Sequence, residues 1–130
     1  MATPTIALVV QPDTSVRRET AACLRDLGFS VSEFDDECHF YAQAIRLMSS
    51  PGRDRRSVVI VAEPTAGVIR DLETLRSCSP RTGIVLVDGP EHLEAARELG
   101  AACLTRDRPS REDVERAVEA AFAASRAAIN

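Results

Sequence analysis

The densest collection of reactive side chains is Asp35-Asp36-Glu37-Cys38-His39, which puts carboxylate, thiol and imidazole groups at five consecutive positions. These are metal-ligand types, but consecutive residues on a helix point in different directions and do not converge on one ion. The stretch reads better as a solvated, acidic helix start, because carboxylates there complement the helix dipole. The four cysteines, Cys23, Cys38, Cys78 and Cys103, include no C-x-x-C pair, and none has Arg six positions on. That removes a redox dithiol and a C-x5-R phosphate loop, and Cys23 and Cys103 read as inert, reduced packing thiols. All 16 basic residues are Arg. A chain without lysine has no Schiff-base chemistry, no phosphate-binding loop with its essential Lys and no protein-kinase core. Arg53, Arg55 and Arg56 suit a charged surface turn better than a phosphate site. His92 reads as a polar residue on the first turn of a helix.

The elements that must position any site follow from composition and pattern. With 130 residues, 45% hydrophobic and 28% charged, the chain is expected to form one globular domain over 1–130, with an N-terminal tail at 1–5. A domain of this size buries roughly two-thirds of its unfolded surface and needs neither disulfides nor a structural metal. The net charge of −4 disfavours direct nucleic-acid binding, which depends on neutralising phosphates. The longest apolar run is five residues, against roughly 20 for a membrane-spanning helix. Met1-Ala2-Thr3-Pro4-Thr5 lacks the features of a secretory signal, so a cytoplasmic location is expected. The Ala- and Arg-rich composition points to a GC-rich bacterial genome.

Short β-branched runs alternate with helix-period segments, the pattern of a parallel sheet wrapped by helices. Ile6 to Val10 is the first strand, ended by Gln11-Pro12 because proline cannot donate to the ladder. Asp13 or Thr14 caps a helix with Val16, Cys23, Leu24 and Leu27 on one face, stopped by Gly28. Phe29 to Ser32 alternates, as an edge strand does. Asp35 or Asp36 caps a second helix with the stripe Phe40, Tyr41, Ala44, Ile45 and Met48, closed by Pro51-Gly52. Val58 to Ala62 and Ile84 to Val87 are apolar without alternation, hence central strands buried on both faces. Pro64-Thr65 opens the third helix, with Val68, Ile69, Leu72 and Leu75 inward. Pro90 suits the first turn of a fourth helix that ends at Gly100. Ala101 to Leu104 is a weaker fifth strand, and Ser110 with Asp113 forms a capping box for a last helix over about 110–128. The result is five βα units.

Open sheets of this kind bind ligands beyond the carboxyl ends of their strands. Those positions are Gln11, Pro12, Asp13, Ala62, Glu63, Asp88, Gly89, Thr105 and Arg106, and they offer no glycine-rich dinucleotide loop. Asp13 reads as a helix cap rather than a metal ligand. The segment Ala7 to Phe29, the run ending at Ala62, Asp88-Gly89, and Gly100-Ala101 leading to Leu104-Thr105-Arg106 resemble the receiver domain of bacterial two-component response regulators, over nearly the whole chain. Arg17, eleven positions before Gly28-Phe29, matches that family's common basic residue and fixes the register.

The resemblance implies a flavodoxin-like (βα)5 doubly wound fold with five parallel strands in the order 2-1-3-4-5. It also implies a phosphorylation pocket, which here is degenerate. The acidic metal-binding pair of the family falls on Gln11-Pro12, and Ala62 stands at the phosphoacceptor with Glu63 beside it. Asp88 replaces the hydroxyl residue, and Arg106, or Asp107 without a one-residue gap, replaces the lysine. An amide and an imino acid would not hold Mg²⁺, and alanine has no nucleophilic atom.

The chain therefore resembles a pseudo-receiver: a signalling domain of two-component or phosphorelay-like systems, not an enzyme, without metal or cofactor, acting by protein–protein interaction. The family's output surface is the fourth helix, fifth strand and fifth helix, where a protein partner or a second copy would meet Arg97, Arg108, Arg111 and Arg116. Two alternatives remain open. One is a small-molecule or anion-binding regulatory domain using the vacated pocket through Arg106 or Arg108, and the other is a conventional receiver with Glu63 or Asp88 as an unusual acceptor. A Glu63–Arg106 ion pair could fill the place of the phosphoryl group and lysine.

Overall fold

The computed structural model describes residues 5–49, 56–78, 81–87, 93–104 and 110–129. Ten elements alternate along the chain: β1 (Thr5–Val10), α1 (Thr14–Asp26), β2 (Ser30–Phe34), α2 (Glu37–Ser49), β3 (Arg56–Ala62), α3 (Ala66–Cys78), β4 (Gly83–Val87), α4 (Leu93–Leu99), β5 (Ala102–Leu104) and α5 (Arg111–Ile129). All strand pairs are parallel, and the order is β2-β1-β3-β4-β5. The fold class and strand order expected from the sequence are those found.

Period-2 alternation sorts the strand side chains into two layers. Leu8, Val10, Val59, Val61, Ile84 and Leu86 pack with Phe40 and Ala44 of α2, Val68, Leu72 and Leu75 of α3, and Ala96 and Leu99 of α4. On the other face, Ala7, Val9, Val58, Ile60 and Val85 pack with Leu24 of α1 and with Val114, Val118, Ala121 and Phe122 of α5. Gly83 permits the close seating of α5: a Cβ there would lie 3.3 Å from Ala121 Cβ and from the Phe122 ring. Gly28, at φ 98°, turns the chain out of α1 in a conformation that side chains disfavour.

Several boundaries differ from the pattern-based reading. Thr5, expected in the tail, begins β1, and Arg56, expected in the preceding turn, begins β3; the two are paired, which lengthens both central strands. The edge strand runs on to Phe34, because Glu33 and Phe34 continue the ladder opposite Val9 and Val10. Phe34 is held there by an edge-to-face contact with Phe40, ring centroids 6.1 Å apart. The side chains of Ile45 and Met48, and Pro51-Gly52, Pro90 and His92, lie outside the described residues.

At the amino-terminal end of the sheet, Arg76 joins three elements. Its Nε donates to Leu99 O at 2.9 Å, Nη1 to Thr82 O at 2.6 Å and Nη2 to Gly100 O at 3.1 Å. The carbonyls of Leu99, the last residue of α4, and of Gly100 just after it lie where a helix end leaves acceptors without intrahelical donors, so a planar cation satisfies them while complementing the dipole. Burial lowers the guanidinium pKa from its ordinary value. Beside it the hydroxyls of Ser57 and the buried Thr82 are 3.0 Å apart.

Candidate functional site at the carboxyl ends of the strands

The strand order reverses between β1 and β3, and their register pairs Val10 with Val61. One step further, the loop beginning at Gln11 comes level with Ala62. Ala62 is only 5% exposed and ends β3 inside the apolar layer system. Its methyl group offers neither a nucleophile nor a hydrogen bond.

The loop after β1 is occupied by its own structure. Gln11 N donates to Phe34 O at 3.0 Å, extending the pairing to β2, and Gln11 Oε1 accepts from Asp13 N at 3.0 Å. Asp13 is the N-cap of α1: its Oδ1 accepts from Val16 N at 3.1 Å. Pro12 is exposed between them. The three positions thus form a short turn that starts a helix, with the Asp13 carboxylate committed to a backbone donor.

Glu63 follows Ala62 with φ 49°, the left-handed region that non-glycine residues rarely enter. Its N–H donates to Val87 O at 2.9 Å, continuing the β3–β4 pairing by one residue. The side chain is exposed and, among the described residues, has no hydrogen-bond or ion-pair partner. Pro64 is buried, and Thr65 Oγ1 accepts from Val68 N at 3.2 Å, capping α3. Asp88, Arg106, Asp107 and Arg108 lie outside the described residues, and so does any Glu63–Arg106 pair.

Arg17 links the first loop to the sheet edge. Its Nη1 donates to Gln11 O at 2.9 Å and its Nε stands 3.6 Å from Glu33 Oε1. Glu33 also takes Arg25 Nη2 at 3.3 Å, so one carboxylate on β2 faces two guanidiniums from α1. Sequence spacing singled out Arg17 but not its partners: the alternation of Phe29 to Ser32 breaks at Glu33, which stands at an apolar-face position and gave no signal of its task. A little further along this edge, Asp36 caps α2, with Oδ1 accepting from His39 N at 3.0 Å. The same carboxylate stands 2.9 Å from His39 Nδ1 through Oδ2. The hydrogen bond to Asp36, then the charges of Asp36 and Asp35, raise the His39 pKa from its ordinary value. Of the two candidate caps at this helix start, Asp36 is the one used.

Of the proposed interface arginines, Arg97 is exposed on α4 and Arg111 and Arg116 are exposed on α5, and among the described residues none makes an ion pair. They do not share one environment. The charge of Arg111 reaches Cys23 on α1, where burial and then Asp26 raise the thiol pKa and Arg111 opposes them. Arg111 therefore borders the α1–α5 seam. Cys103 is half-buried, and burial raises its pKa too. Neither thiol has the depressed pKa of a reactive cysteine. Among the described residues no three His, Cys, Asp or Glu side chains are grouped to hold a metal ion, and no helix is long and apolar enough to cross a membrane.

Solved structures with this arrangement include response-regulator receivers. The chemotaxis response regulator CheY4 of Vibrio cholerae superposes with a TM-score of 0.66 at 18% identity, covering 91% of this chain and 98% of its own. A receiver-domain protein from Clostridium thermocellum gives a TM-score of 0.67 at 15% identity, covering 96% and 98%. The beryllofluoride-activated NtrC4 receiver domain, a dimer in solution, gives 0.69 at 13% identity, covering 92% and 98%. The chain has the CheY-like receiver fold. No family model and no curated relative matches the sequence.

Proposed function

We propose that the chain is a receiver-like signalling domain that operates without phosphorylation, as a bacterial, cytoplasmic, non-enzymatic module that engages a protein partner or a second copy of itself. The observation that carries this reading is Ala62: the residue ending the central strand next to the point of strand-order reversal is a buried methyl group. The neighbouring loop supports it, since Gln11 and Asp13 spend their polar atoms on the start of α1. With the pocket's chemistry gone, the scaffold still offers its surfaces. The face built by α4, β5 and α5 is the proposed contact, with Arg97 and Arg116 as uncommitted charges and Arg108 between them in sequence.

The test combines two readouts. Intact mass after incubation with a small phosphodonor and Mg²⁺ is expected to stay unchanged, and a stoichiometric adduct lost in Glu63→Ala or Asp88→Ala would overturn the reading. Arg97→Glu with Arg116→Glu should abolish capture of the partner or self-association with folding intact. Arg111→Glu, on the α1 side, should leave it in place. Association unchanged in the double variant would remove this face from the proposal.

A further inference from the structure

A second feature lies one strand away from Ala62, at the carboxyl end of the edge strand. Arg17, Arg18, Glu33, Phe34, Asp35 and His39 line an open hollow of about 480 Å³ between the starts of α1 and α2. Most of its charges are already committed. Arg17 holds Gln11 O and Glu33, Glu33 also holds Arg25, and His39 is paired with Asp36. Two are held by no hydrogen bond or ion pair among the described residues: Arg18, and Asp35, whose charge reaches His39 without contact. The hollow thus presents one uncommitted guanidinium, one uncommitted carboxylate and the half-buried ring of Phe34, which Phe40 holds edge-on.

We propose that this hollow is a binding site for a small zwitterion of amino-acid size, with Arg18 taking its carboxylate and Asp35 its ammonium group. A simple anion is disfavoured by the carboxylates of Glu33 and Asp35 in the same lining, and a simple cation by the two arginines. A molecule carrying both charges meets both uncommitted groups, and an apolar side chain can lie on Phe34. The hollow is open and wide enough for a molecule of amino-acid size together with water. Occupancy has a direct route to the loop after β1, because Phe34 O accepts from Gln11 N and Arg17 bonds Gln11 O. The site stands apart from the phosphorylation-independent reading and would be an input of a different kind.

The experiment is a thermal-shift screen of the full chain against the twenty free amino acids, followed by titration of the best one and of its N-acetyl and C-amide derivatives. A saturable rise in Tm with the free amino acid is expected, abolished by either blocking group, with Arg18→Ala and Asp35→Asn each weakening binding about tenfold. Both residues are exposed, so both variants should fold, and amide shifts of Phe34 to His39 give a second readout. No saturable rise up to about 10 mM would overturn the proposal. So would equal binding of the blocked derivatives, or binding that neither variant weakens. These readouts are non-covalent, so their failure is separable from a failure of the phosphodonor test.

Discussion

The two ends of the sheet are held by arginines that work in different surroundings. At the amino-terminal end Arg76 is half-buried and bonds the carbonyls of Leu99, Thr82 and Gly100, tying α3 to the end of α4 and the approach to β4. At the carboxyl end Arg17 bonds one carbonyl and faces a carboxylate that it shares with the exposed Arg25. The first clamp spans more than twenty residues of sequence in two of its three bonds, whereas the second stays within α1, its own loop and the adjacent edge strand. The longer-range clamp lies at the end without a candidate site, and the end that carries one is held by more local contacts. That division suits a domain whose loops vary on a fixed scaffold.

The largest effect expected from breaking this asymmetry is at Arg76. Arg76→Ala removes a charged donor from three carbonyls at once and should destabilise by about 2–3 kcal/mol in urea unfolding. Arg76→Lys should recover only part of it, since an ammonium lacks the planar fork. A loss no larger than that of Arg17→Ala would erase the difference between the two ends. Arg17→Ala itself should cost about 1 kcal/mol, a carbonyl bond plus a weak, partly exposed pair, and Asp13→Ala about 1 kcal/mol as a lost helix cap.

A smaller effect of opposite sign is expected at Glu63. A left-handed backbone costs an L-residue about 1–2 kcal/mol, and glycine relieves that while losing part of the gain to its freer unfolded chain. Glu63→Gly should therefore stabilise the domain by about 0.5–1 kcal/mol. Lower stability in that variant would mean the Glu63 carboxylate is engaged by a residue such as Arg106, and the vacated pocket would then hold an ion pair. Either outcome sharpens the contrast, because strain kept at the carboxyl end has no counterpart in the Arg76 clamp.

The scaffold was far more legible in the sequence than the contacts that finish it. Val58 to Val61 and Ile84 to Val87 are unbroken apolar runs because both their faces are covered, one by each helix layer. Gly28 and Gly100 marked helix ends through their positive φ angles. Ser110 and Asp113 form the reciprocal box, with Asp113 N donating to Ser110 Oγ and Ser110 N to Asp113 Oδ2. The Arg76 clamp left no such trace, because its acceptors are backbone carbonyls and a carbonyl has the same identity at every residue. Glu33 was hidden for a related reason: a charged residue in an edge strand is ordinary, and only the three-dimensional approach of Arg17 and Arg25 gives it a task. Of the candidate site, the buried alanine that ends β3 and the Asp13 cap were readable from residue type and register. The left-handed turn at Glu63 was not, since nothing in its side chain requires that conformation.

The smallest expected effect concerns pH at the carboxyl end, where Asp36 caps α2 and pairs with His39. The hydrogen bond to Asp36 comes first among the causes that raise the folded-state pKa of His39 above its ordinary value of 6.5. A group whose pKa rises on folding binds its proton more tightly in the native state. Its contribution is therefore complete below the unfolded pKa, provided Asp36 remains ionised, and disappears as pH rises through the folded one. Urea midpoints of the wild type and His39→Gln, measured from pH 5.5 to 8, should differ most at the acid end and converge at the alkaline end. The side chain is largely exposed, so the difference should be small and should shrink with added salt. The positive end of the α2 dipole acts against a protonated imidazole at this position. If the wild type instead gains on the variant as pH rises, the dipole outweighs the Asp36 bond, and the NMR titration of His39 will show a pKa below its ordinary value. That result would detach His39 from the capping carboxylate and leave Asp36 holding the start of α2 alone.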